Sequence, residues 1–395
     1  MNKLKTCGPG GSMRSRSLLI LLALLLVVAA CNETQGPEVV LNDDAAMHRA
    51  NAARTGVYET EALEEYTGIK WEFAAEDWFF ATPAVYGDNV YSANYDGNLY
   101  ALDRETGEER WRFEARGSLI SSPAVSQDLV FVGSMNGRLY AVEATTGQER
   151  WRVDLGGGIT GSPAVVDEAV YATSESGVVV ALDAATGKEL WRFAKEGQPI
   201  AFSPAVADGV VYVPVSDGVL YALDAGTGVE QWAYDPAALS TDPEVYSPTA
   251  DPVVADGVVY FMTSNLNLGG VLHAVEVATQ RVRWTFQTPA EDYSAPSVAG
   301  DLLVFGSIDI SIYAVNAATG ELAWTFPTQD IVFSAPAVVD DLVYIGSADQ
   351  NLYALDAATG RMRWQFRAES GVSSAAVADG VIYVGTEGGV LYALE

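Results

Sequence analysis

An eleven-residue unit, ALDAATGKELW at 181–191, is written seven times along the chain. The other copies are ALDRETGEERW (101–111), AVEATTGQERW (141–151), ALDAGTGVEQW (222–232), AVEVATQRVRW (274–284), AVNAATGELAW (314–324) and ALDAATGRMRW (354–364). Six copies lie 28 residues after a Pro-Ala-Val-like start, as in Pro83 to Trp111, Pro163 to Trp191 and Pro336 to Trp364. A repeat of about forty residues constrains the fold more tightly than a length of 395, which alone would suggest two or three domains.

Each unit holds four short runs rich in Val, Tyr and Leu, such as SPAVVD, AVYATS, VVVALD and LWRF between 162 and 193. Bounded by turn residues, these read as four antiparallel strands. Interiors such as Val210, Val211, Tyr212 and Val213 scarcely alternate, so both faces of each sheet must be covered. Four-stranded units of this length stack into a ring, an all-β, eight-bladed β-propeller. The chain stops at LYALE (391–395), part-way into an eighth unit, and the missing Thr-Gly and Trp stand near the amino terminus as Thr67, Gly68 and Trp71. The last blade is therefore expected to take its outermost strand from the amino-terminal end, which closes the ring and hides its edges.

Within the unit, Asp or Asn at the third place can accept from the turn amides, and Gly at the seventh can take a positive φ. The Trp offers a flat ring to the next blade and an N–H that needs a carbonyl. One copy has Gln280 where Gly stands elsewhere, and its turn is expected to differ.

Lys3, Lys5, Arg14 and Arg16 precede the apolar run LLILLALLLVVAA (18–30), the pattern of an export signal, with Met13 as a second candidate start. VAAC (28–31) resembles the bacterial lipobox, which implies lipidation of Cys31. Residues 1–30 thus read as signal peptide, 31–66 as lipidated Cys, polar tether and lead-in, and 67–395 as propeller. A short helix or turn is expected within 43–56.

A formal charge of −30 makes nucleic acid an unexpected partner and leaves the lipid as the contact with a membrane. Cys7 and Cys31 are the two cysteines, so the repeat region has no disulfide and no thiolate zinc site.

Ala-x-Asp-x-x-Thr-Gly-x-x-x-Trp resembles the docking motif of the pyrroloquinoline quinone (PQQ) propellers, over about 67–395. The resemblance implies eight blades, with Trp71, Trp111, Trp151, Trp191, Trp232, Trp284, Trp324 and Trp364 as inter-blade docking residues. It fixes fold and not function. One branch, the quinoprotein dehydrogenases, holds the quinone and usually Ca²⁺ over the ring axis; its soluble alcohol dehydrogenases carry adjacent cysteines that this body lacks. The other branch comprises short lipoproteins similar to the propeller subunit of the outer-membrane barrel-assembly machinery, which use the ring as a scaffold without cofactor. Length, lipobox and compact units look like the second branch. The expectation is a monomeric, non-catalytic scaffold in the cell envelope that binds an envelope protein; a PQQ/Ca²⁺-dependent oxidoreductase and a glycan- or peptide-binding module are the alternatives.

No catalytic or metal-ligating set is legible. His48 falls in the lead-in and His273 on a strand, where it reads as structural. The interval from Trp232 to Trp284 is 52 residues, and its insertions at 236–250 and 264–270 are assigned to one face. Entry loops of the other blades should bring Trp78, Phe80, Ile120, Tyr293 and Phe333 to the mouth of the axis as a partner-binding rim. Glu76, Asp77, Glu291 and Asp292 would make that mouth acidic.

Overall fold

The computed structural model describes residues 46–239, 246–265 and 269–395. The expected signal peptide, the lipidation expected at Cys31 and the expected tether fall outside the described residues, as do the centres of the two insertions.

Eight antiparallel sheets follow one another, each running from an inner to an outer strand. Blades 1 to 4 run from Ala84–Tyr86 to Glu109–Glu114, Ala124–Ser126 to Glu149–Asp154, Ala164–Val166 to Glu189–Ala194, and Ala205–Ala207 to Glu230–Tyr234. Blades 5 to 7 run from Val253–Ala255 to Arg281–Gln287, Ser297–Ala299 to Leu322–Pro327, and Ala337–Val339 to Met362–Arg367. Blade 5 gains an extra strand, Ser247–Pro248, paired on the far end of Val258–Asn265. The one helical turn among the described residues is Pro236–Leu239.

Blade 8 has Val372–Ala378, Val381–Thr386 and Val390–Leu394 as its first three strands and Ile69–Ala74 as its fourth. Trp71 pairs with Ala393 and Phe73 with Leu391, and the amides of Thr67 and Gly68 both donate to the Glu395 carbonyl, at 2.7 and 2.9 Å. Trp71, Tyr383 and Leu391 pack in one cluster with Val90 and Tyr100 of blade 1, so the ring is closed. The other apolar clusters likewise join neighbouring blades, which is why middle strands such as Leu129–Gly133 are buried on both faces while outer strands alternate.

The repeated unit is the clasp between blades. Asp103 Oδ1 accepts the amides of Glu105 and Thr106, both at 2.9 Å, and so shapes the hairpin. Trp111 Nε1 donates to the Ala144 carbonyl of blade 2 at 3.0 Å, Trp151 to Ala184 at 2.9 Å and Trp191 to Ala225 at 2.7 Å. Trp71, Trp284 and Trp324 make the same bond to Arg104, Ala317 and Ala357. Trp364 meets the lead-in instead: it donates to the Leu63 carbonyl at 3.0 Å and packs beside the Tyr66 ring. Trp232 packs against Val275, Val277 and Val282.

The expected difference at Gln280 does not occur. Its φ of +58° lies beside the +70° of Gly187, and its amide closes the turn on Glu276 at 2.8 Å, as Gly187 does on Asp183. The register of the unit dictates the turn, and Gln280 accepts the left-handed conformation at an energetic cost.

Candidate functional site

The lead-in forms turns, as expected, but it does more than approach the ring: residues 46–58 line the inside of it. The inner strand of a blade leaves its backbone edge facing the axis, a row of amides that needs partners. Val125 exchanges hydrogen bonds with Ala46. The amides of Val206, Val254, Val298 and Val338 donate to the carbonyls of Ala52, Ala53, Thr55 and Gly56, at 2.7 to 2.9 Å. One segment thus satisfies the inner edges of blades 2, 4, 5, 6 and 7. Arg54 is fully buried and spreads its guanidinium over the carbonyls of Pro204, His48, Ser162 and Pro163. Arg49, 2% exposed, donates to Ser297 Oγ at 3.1 Å and to the Pro296 carbonyl. Burial lowers both guanidinium groups to about 10, against the opposing pull of Asp251.

Above this segment lies a pocket of about 270 Å³, lined from all eight blades and floored by His48. A ring of hydroxyls ties its wall together. The amides of Thr82, Ser122 and Ser162 donate to Ser122, Ser162 and Ser203 Oγ at 2.9, 3.0 and 2.8 Å, and the Ser203 amide donates to Asp251 Oδ1 at 2.7 Å. His48 Nε2 stands 3.2 Å from Asp251 Oδ2, and its Nδ1 meets Thr82 Oγ1 at 3.0 Å and Ser122 Oγ at 3.1 Å. A neutral ring protonated on Nε2 donates to Asp251 and leaves the single lone pair of Nδ1 to be shared by the Thr82 and Ser122 hydroxyls. Burial lowers the imidazole to about 4, outweighing Asp251. Burial alone would raise Asp251, but the His48 hydrogen bond, the charges of His48 and Arg54 and the Ser203 amide hold it at about 2.

Ser122, His48 and Asp251 stand in the order of a hydrolytic triad. The hydroxyl, however, occupies the same clasp as Ser162 and Ser203, and an imidazole held near 4 is a weak base at neutral pH. Neither His48 nor Asp251 was singled out by sequence as a site residue. The available signal was Asp251 before Pro252, where other blades place Thr82, Ser122, Ser162 and Ser203 before proline.

Of the sequence-assigned rim, Phe80, Ile120, Tyr293 and Phe333 line the pocket. Phe80 and Phe333 stack across blade 8 with centroids 6.0 Å apart and planes at 13°. Trp78 is exposed on the same face, edge-on to Tyr95, outside the pocket wall. Glu76 and Asp77 are exposed at the mouth, but Asp292 is not: it is fully buried. It fills the place held by Leu119, Ile159 and Val332 in other blades, two residues before the bend that recurs in the entry loops at Ser121, Gly161, Ser294 and Ser334. Its Oδ2 accepts from Thr288 Oγ1, its Oδ1 has no partner in hydrogen-bond geometry, and burial raises it to about 7 against the opposing pull of the Ser307 and Thr288 hydroxyls. His273 is structural, stacked on Phe261 and bonded through Nε2 to Thr263 Oγ1 at 2.8 Å.

The family model described as outer membrane protein assembly factor BamB matches residues 52–123, 95–326 and 309–395. No curated protein matches the sequence significantly. BamB from Moraxella catarrhalis is 19% identical, with 83% of this chain and 99% of that one superposed at a TM-score of 0.71. A quinohemoprotein alcohol dehydrogenase from Pseudomonas putida is 19% identical over 86% of this chain and 75% of its own, at 0.71. A europium-containing methanol dehydrogenase is 17% identical over 86% and 88%, at 0.72. At these identities the likeness is one of fold.

Proposed function

The chain belongs to the family described as outer membrane protein assembly factor BamB, and on that premise we propose that it is an exported, lipid-anchored, non-catalytic scaffold. It holds a protein partner in the cell envelope during outer-membrane protein assembly. The family match across the blades carries this reading. The occupied axis supports it: residues 46–58 take up the inner edges, and His48 and Asp251 are engaged with the blade wall. Crosslinking the full chain in intact envelopes and identifying what co-purifies tests it. Outer-membrane assembly proteins lost on Cys31→Ala are the expected catch; their absence from the wild-type catch overturns the reading.

The likeness of fold to two dehydrogenases motivates a second reading, a PQQ- and Ca²⁺-dependent oxidoreductase. The residues here fit that pair poorly. Among the described residues, Asp251 is the one acidic residue lining the pocket and no group of three or more His, Cys, Asp or Glu is placed to hold a metal ion. Titrating the quinone with Ca²⁺ while following absorbance and melting distinguishes the readings: a saturable, stabilised holoprotein favours the enzyme.

A further inference from the structure

We propose that the axial pocket is a socket for a single basic side chain, Lys or Arg, presented by a protein partner. The proposal rests on the scaffold reading only for the source of that side chain.

The pocket has an apolar collar above a polar floor. The collar position directly follows the buried entry-loop residue and holds Phe80, Ile120, Tyr293 and Phe333 in blades 1, 2, 6 and 7. Blade 8 lacks this position, since Val372 runs straight into Ser373, and the Phe80–Phe333 pair closes over the gap. One lining hydroxyl is unused. Thr249, which takes the collar position in blade 5 three residues before Pro252, is 4% exposed, and its Oγ1 has no hydrogen-bond partner. A buried hydroxyl without a partner is destabilising, and a polar ligand atom would relieve it. Asp251 beside it is an ionised carboxylate whose contacts are a neutral imidazole and an amide; no guanidinium lies within ion-pair distance of it.

Charge selects the occupant. Glu76, Asp77 and Asp330 are exposed on the entry loops, with Glu291 and Glu387 half-buried among them. Asp330 lies close enough to add to the burial that raises Glu387. The bases of these loops are Arg116 and Lys195, and Lys195 is turned away onto the Tyr221 ring, 3.9 Å from its centroid, and toward Glu230. Arg49 and Arg54 lie beneath the floor, but the five acidic residues of the loops, with Asp251, outnumber them, so an anion is repelled at the mouth, and a wholly apolar group leaves Thr249 Oγ1 unsatisfied. A lysine or arginine meets these demands at the level of the collar: its methylenes and charge lie against the rings below the acidic loops, and its N–H groups reach Thr249 Oγ1.

The test uses purified chain and short labelled peptides that differ at one central residue, read by fluorescence anisotropy. The Arg and Lys peptides should bind about tenfold more tightly than the norleucine peptide, and a Glu peptide more weakly still. The double variant Thr160→Phe/Ala201→Phe places in blades 3 and 4 the residue that blades 1 and 7 already carry there and fills the collar; because it removes the Thr160 Oγ1 bond to the Ala201 carbonyl, its melting is compared with the wild type first. It should remove the Arg preference, and Thr249→Val should weaken it. Equal binding of the Arg and norleucine peptides, or undiminished Arg binding by the filled variant, overturns the socket. Envelope partners captured equally well by the filled variant would also overturn it, while leaving the scaffold reading intact.

Discussion

His48 Nε2 stands 3.2 Å from Asp251 Oδ2, joining a residue of the lead-in to the entry loop of blade 5 at the centre of the ring. The contact ties the axial segment to the blades and carries a pH dependence of known sign.

His48 titrates near 4 in the folded chain and near 6.5 when unfolded. Between these values the unfolded chain binds the extra proton, so stability is present above about pH 6.5 and is lost as pH falls toward 4. Asp251, lowered from 3.8 to about 2, adds a further loss below pH 4. His273, lowered by burial to about 3, adds a loss of the same sign and Asp292 opposes it, so the diagnostic is the difference between the wild type and His48→Gln: thermal melts of the variant should fall less between pH 6.5 and 4. An unchanged slope in the variant would show that His48 is not the group responsible.

Asp292 has the opposite sign. Its folded value of about 7 exceeds the ordinary 3.8, so the folded chain holds the extra proton and stability falls as pH rises from about 4 to 7. Asp292→Val restores the residue type of Val332 and Val372. It should remove that component and raise stability at pH 8 by about 1–3 kcal/mol, the scale of an unsatisfied buried polar group. Denaturant melts of both proteins at pH 5 and pH 8 provide the comparison.

Trp191 fills the blade 3–4 seam and donates to the Ala225 carbonyl at 2.7 Å. Trp191→Ala should cost about 3–5 kcal/mol, as large-to-small core changes do. Trp191→Phe, which keeps a ring but loses the hydrogen bond, should cost less. A loss below about 1 kcal/mol for the alanine variant contradicts the clasp.

At the unit's turn, a Cβ on Gly187 would come within 2.7 Å of the Trp151 ring, and φ is +70°. Gly187→Ala should therefore destabilise through both clash and strain. Gln280→Gly should stabilise by about 1 kcal/mol by relieving a left-handed residue. Melting of the two variants should move in opposite directions.

The blades were legible because every strand is written many times, and ring closure because a motif begun at Leu391 is completed at Trp71. The axis was not legible. Each blade contributes only two or three residues there, and His48 meets Asp251, Thr82 and Ser122 only because eight sheets converge. Asp292 was assigned to the mouth beside Glu291, since sequence proximity does not reveal which residue of an entry loop turns inward. The Gln280 expectation failed because neighbouring strands impose a turn that glycine merely eases.

The path of residues 46–58 also determines how the ring bears load. A pull on the chain upstream of Ala46 acts first on hydrogen bonds that anchor one segment to several blades around the axis, and only afterwards on the seam at Trp71 and Ala393. Those bonds follow one another along the segment, from Ala46 on Val125 to Gly56 on Val338, and each must give before the load reaches the closing strand. The body is thus held from its centre, and traction on that end leaves the closing strand unstressed until the centre gives way.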